Sequence, residues 1–232
     1  MAITQYSELV TAIQNWAART DSTISNRVDE FITLAEDRLF YGDNSIVDAK
    51  GNPLEPLRVR AMETTEDLTI NSQSTALPTG FLSHRSLYLD TSEKGDLPYF
   101  PPDRFWQSGA AQSTTGEPQI YTIEGDNIVV APSPDTPYTG KLLCYKKLTG
   151  LSSGNTTNWL ITNSPGTYLA ATMLELSEFT MDVEQIGYWS KKVVGRVNAL
   201  NRQDTESRYG NDLSVKVDRA APHINKYVYR SR

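Results

Sequence analysis

The apolar residues of this 232-residue chain change period twice, and that double change restricts the fold more than any other feature. Tyr6, Leu9, Val10, Ile13, Trp16 and Ala17 recur at helical spacing. After Thr20-Asp21-Ser22 a second helical stripe carries Ile24, Val28, Phe31, Ile32, Ala35 and Leu39, with Gly42 placed as its C-terminal stop. From about Glu66 to Lys147 the period falls to two: Leu68 with Ile70, Leu87 with Leu89, Tyr121 with Ile123, Ile128 with Val130. Leu142–Tyr145 is apolar throughout, as a strand covered on both faces is. The helical period then returns. Ser164-Pro165 starts a helix with Ser as N-cap and Pro at the first position, bearing Tyr168, Leu169, Met173, Leu176 and Phe179. Asp182 with Gln185 starts another, bearing Ile186, Trp189, Val193, Val197 and Leu200.

Neither helix pair alone can bury both of its stripes. The expected fold is therefore α+β: residues 5–41 and 165–203 form a four-helix bundle, and residues 66–147 are inserted as an antiparallel β-sandwich or small barrel. By segment, 1–65 is the N-terminal half of the bundle plus an irregular connection broken at Asn52-Pro53 and Pro56. Residues 66–150 are the β domain, 151–204 the C-terminal half, and 205–232 an extended tail of little periodicity. The β domain contains an unusually bracketed hairpin, GEPQIYTIEGDNIVVAPSPDTPY. Gly125-Asp126 suits a two-residue type II′ turn, and Pro118, Pro132, Pro134 and Pro137 end the strands because proline donates no N–H to a ladder.

Reactive chemistry is sparse. There are two histidines, His84 and His223, neither in a nucleophile motif, and no Gly-rich phosphate loop occurs. The single cysteine, Cys144, excludes an intramolecular disulfide and sits in an apolar strand as a small core residue. Most of the 28 acidic residues read as solvated faces. No catalytic, metal or cofactor site is indicated. A net charge of −6 argues against a protein that wraps nucleic acid through a basic surface, and no apolar run is long enough for a membrane helix. The start MAITQYSELV lacks a signal-peptide pattern, so synthesis in a cytoplasm is expected.

Two stretches point outward. In PYFPPDRFW, Tyr99, Phe100, Phe105 and Trp106 surround three prolines; they either pack as a loop over a sheet edge or form an aromatic contact surface for a subunit or tail partner. Between Leu213 and Arg232 there are five Lys/Arg against one Asp in a chain acidic elsewhere. That tail is either a solvated end or a docking arm in which Lys226, Tyr227, Val228, Tyr229 and Arg230 enter a partner's groove. Trp16 and Trp189 lie on helical stripes and are expected in the core.

Several of these elements, taken in order, resemble the head-to-tail adaptor proteins of tailed bacteriophages, chiefly short-tailed ones. The resemblance spans about residues 66–200. Its marks are Leu77, Pro78 and Phe81 in LPTGF; Gly116, Pro118 and Tyr121 in GEPQIY; Pro132 and Pro134 ending a strand; and Trp159, Leu160 and Pro165 before and at a helix start. The resemblance implies a non-enzymatic virion protein at the head–tail junction: a dodecameric ring of this chain beneath the portal protein, extending the DNA channel and offering a platform to the tail nozzle or tube. The genome would pass without tight binding. The alternative reading is a virion β-sandwich module that binds host glycan or another tail component; a hydrolase using paired carboxylates is a third.

Overall fold

A computed structural model of the chain describes residues 2–18, 21–48, 50–90, 96–111 and 115–209. Its elements run α1 (Tyr6–Ala17), α2 (Ser22–Ser25), α3 (Val28–Tyr41), β1 (Asp43–Val47), β2 (Pro53–Leu54), β3 (Glu63–Ile70), β4 (Ser74–Ala76), β5 (Phe81–Leu89), β6 (Asp96–Leu97), α4 (Pro102–Phe105), β7 (Ile120–Glu124), β8 (Asn127–Ala131), β9 (Tyr138–Lys146), α5 (Trp159–Asn163), α6 (Pro165–Phe179) and α7 (Val183–Tyr209). The fold is mixed α+β with antiparallel sheets.

The first and last thirds of the chain share one apolar core. Leu9 and Ile13 of α1, Phe31, Ile32, Ala35 and Leu39 of α3, Tyr168 to Leu176 of α6 and Trp189, Val193 and Val197 of α7 belong to a single buried cluster. Helix α6 is central: from Thr167 to Ser177 every residue is buried, because α1, α3, α5 and α7 all pack against it. Pro165 occupies its first turn, where a missing N–H costs nothing. Ser164, however, does not cap an amide with its side chain; its hydroxyl bonds the Thr167 hydroxyl at 2.8 Å instead. The next helix starts as its sequence indicates, with Asp182 accepting from the Gln185 amide.

The middle third makes two sheets, ordered β3-β9-β5-β6 and β4-β8-β7, with a shared cluster of Ile70, Leu87, Leu142, Tyr121, Ile128 and Val130. The β7–β8 hairpin turns at Gly125, whose φ of +56° suits the first position of the type II′ turn.

Four local expectations are corrected. The stripe after Asp21 is not one helix: Asp21 caps the short α2, and α3 begins at Val28. The connection at 43–65 is not wholly irregular, since β1 and β2 pair and β3 begins at Glu63; Pro53 is tolerated because β2 has only one neighbour. Trp16 is 58% exposed, resting edge-on against the buried Trp189 at 5.7 Å. Helix α7 also continues to Tyr209, past the expected boundary near residue 204.

Candidate assembly surfaces

Polar side chains within the helical third are used as joints. Arg38 of α3 forms a two-pronged pair with Glu178 of α6, at 2.8 and 2.7 Å, and its Nε lies 2.9 Å from Glu175 and 3.4 Å from Asp43. Glu175 Oε1 is off the N–H axis, so that contact is coulombic rather than a directed hydrogen bond. Burial, with Glu178 and Asp43 adding to it and Arg38 opposing, pushes the Glu175 carboxyl up to about 7. Glu175 is buried, Glu178 and Asp43 are half-buried, and a guanidinium lies among the three carboxylates. A paired-carboxylate hydrolase needs the space between its carboxylates for substrate and water.

A second joint holds the segment leading from β9 back into helix. Glu36 of α3 accepts from the Leu151 amide and from the Tyr168 hydroxyl, both at 2.8 Å, and Asn158 donates to that hydroxyl at 2.6 Å. Burial raises the Glu36 carboxyl above its ordinary range. A third joint ties α7 to the chain before β3. Asn201 accepts from the Arg58 amide and donates to Pro56, Asp204 accepts from the Arg60 amide, and Arg208 pairs with Glu63. Each joint links segments far apart in sequence, as a rigid frame requires.

The expected site residues divide. In the PYFPPDRFW stretch, Phe105 is fully buried and anchors a satellite cluster with Ile120, Val129 and Ala131, and Phe100 packs partly against it. Tyr99 bridges to Tyr121 and stacks on His84, keeping only part of its ring in solvent. Trp106 is about half exposed, with its indole N–H donated to Glu124 at 2.6 Å. The loop-over-edge reading accounts for Phe105 and Phe100, while Tyr99 and Trp106 stay available at the surface. Lys226, Tyr227, Val228, Tyr229 and Arg230 lie outside the described residues, as does His223.

The residues carrying the resemblance are structural. Pro118, Pro132 and Tyr121 are buried, Phe81 packs against the sheet core, and the Gly116 amide donates to Ser133 across the strand ends. Pro78 precedes the turn into β5, where the Phe81 amide bonds its carbonyl; Pro134 lies partly buried past β8; Trp159 packs partly against the helical core. His84 lies between the Tyr99 and Tyr121 rings, and burial lowers its basicity. Cys144 is buried, which raises its thiol to about 11 and disfavours the thiolate. Among the described residues no three His, Cys, Asp or Glu side chains gather at metal-binding distance, and no helix is long and apolar enough to cross a membrane.

One surface was not anticipated. At the α6–α7 turn Phe179, Met181 and Val183 are 43%, 84% and 81% exposed, with Tyr188 also outward on α7. Their signal is visible in FTMDV, where a helix-to-helix turn carries apolar residues in place of polar ones.

A family model described as SU10 adaptor protein matches residues 4–216 of the chain. No curated protein matches it.

Proposed function

The chain belongs to the SU10 adaptor protein family and is a phage adaptor, and we propose that it assembles as a homo-oligomeric ring, a dodecamer, below the portal protein. In this reading the ring extends the DNA channel and carries the tail nozzle or tube, and the protein is a non-enzymatic part of the virion assembled in the host cytoplasm. The observation that carries the reading is the family match over nearly the whole chain. The helices supply the frame, as one four-helix bundle, and the two sheets an inserted β-sandwich. A closed ring needs two unlike patches on each subunit, and the apolar α6–α7 turn and the Tyr99–Trp106 surface are offered as those patches. Lys226, Tyr227, Val228, Tyr229 and Arg230 are offered as the portal-docking arm.

The acidic balance of the chain fits a channel through which DNA slides, because tight phosphate contacts would hold the genome. The glycan-binding alternative needs an open aromatic and carboxylate pocket, whereas Trp106 and Glu124 are bonded to each other. Electron microscopy of the purified protein mixed with its portal tests the proposal: a ring seated coaxially on the portal supports it. Binding of the protein to a glycan array with no affinity for the portal would replace it with the alternative.

A further inference from the structure

We propose that the cavity where the C-terminal end of α7 meets β5 and β9 is a binding site for a single oxyanion, a carboxylate or a phosphate. The cavity, about 420 Å³ and open on one side, is lined by Arg58, Arg85, Tyr145, Asp204 and Arg208, with Glu55 at its rim. Three guanidiniums therefore meet there. Two carboxylates pair with them: Glu63 bonds Arg85 at 2.6 Å and Arg208 at 2.8 Å, and Asp204 bonds Arg208 at 2.6 Å. Arg58 is left over. Its Nη1 donates to the Phe40 and Leu57 carbonyls at 2.9 and 2.7 Å, which pins the group without neutralising it, and it has no carboxylate within ion-pair distance among the described residues. Glu55 makes no ion pair among the described residues either.

A second guanidinium of the cavity is also incompletely partnered. Nη2 of Arg208 is buried with no acceptor among the described residues, although the other two nitrogens of that guanidinium are paired. Buried donors and half-buried charges without partners are costly, and both of these belong to side chains of one cavity. The arrangement is also rigid. Asn201 clamps the 56–58 segment onto α7 through the Arg58 amide and the Pro56 carbonyl, and Arg85 lies over the Tyr145 ring at 5.8 Å. Preset guanidiniums bind an oxygen pair in a fixed plane, which selects an oxyanion over chloride.

The test compares thermal melting in sodium phosphate, sodium acetate and sodium chloride at equal ionic strength. At tenfold saturation an oxyanion raises the wild-type melting temperature by about 3–5 °C over chloride. Arg58→Gln and Arg85→Gln lose that increment, and Lys191→Gln, near the other end of α7, keeps it. If Arg58→Gln folds poorly, Arg85→Gln and saturable broadening of the phosphate 31P resonance by the wild-type protein give the same answer. A shift with phosphate identifies a phosphate ligand. A shift with acetate alone identifies an acidic side chain. Equal melting in all three salts, or a shift that survives both Gln substitutions, overturns the proposal.

Discussion

The helical and β regions of this molecule are held together by different means. The helical third of the core is one continuous apolar cluster braced by polar joints, buried at Glu36 with Tyr168, part-buried at Arg38 with its three carboxylates, and nearer the surface along the α7 seam to residues 56–63. The β region has two smaller clusters, and its fully buried members are almost entirely apolar. Apolar packing tolerates small adjustments, whereas a directed joint loses its partner when one side chain changes. The helices should therefore respond sharply to charge changes, and the sheets to loss of volume.

The largest effect expected is at Arg38. Arg38→Ala leaves Glu175, Glu178 and Asp43 without their cation, and removing one side of a buried pair costs about 3–5 kcal/mol by denaturant unfolding. A loss under 1 kcal/mol would break the contrast. On the β side, Phe105→Ala empties the centre of the satellite cluster and costs about 3 kcal/mol. Helical circular dichroism at low denaturant should remain at the wild-type level, since no helical joint touches Phe105.

Proton linkage sharpens the same comparison. The Glu175 carboxyl is raised in the folded protein to about 7 from an ordinary 4.5, so its contribution is fully present below pH 4.5 and is lost as pH rises through 7. Relative to Glu175→Gln, the wild type should lose about 3 kcal/mol at most between pH 4.5 and 8. Parallel pH profiles for the two proteins would remove Glu175 from the account.

Much of this architecture is legible in the residues. The stripes of α1, α6 and α7 and the alternation of β3, β5, β7 and β8 could be read directly, because a long buried face repeats its period. What escaped is where burial is not the organising force. The last turns of α7 carry Asn201, Asp204 and Arg208, which hold Pro56, Arg60 and Glu63 by polar contacts, so no apolar stripe marks them as helix. Trp16 shares the stripe of Leu9 and Ile13 yet lies in the last turn of α1, where it meets Trp189 edge-on and stays largely in solvent. Of the candidate interface, the packing of Phe105 over a sheet edge was one of two readings open in the sequence, and the exposed apolar turn at Met181 became visible only once the described residues were seen to leave it in solvent.

The two remaining predictions are smaller in stability and separate frame from surface. Tyr168→Phe removes one donor from buried Glu36 and costs about 1–3 kcal/mol by denaturant unfolding. Met181→Asp with Val183→Asp should change the melting point of the isolated subunit by under about 0.5 kcal/mol equivalent, because both side chains are solvated. The same double variant should weaken self-association in sedimentation velocity; an unchanged distribution removes that turn from the ring interface.

The most direct measurement is the mass and symmetry of the complex formed with the portal protein, by native mass spectrometry and electron microscopy. A closed ring of identical copies, coaxial with the portal and enclosing an open channel, is the expected result. A complex with isolated subunits bound at unrelated positions, or no complex at all, would contradict it.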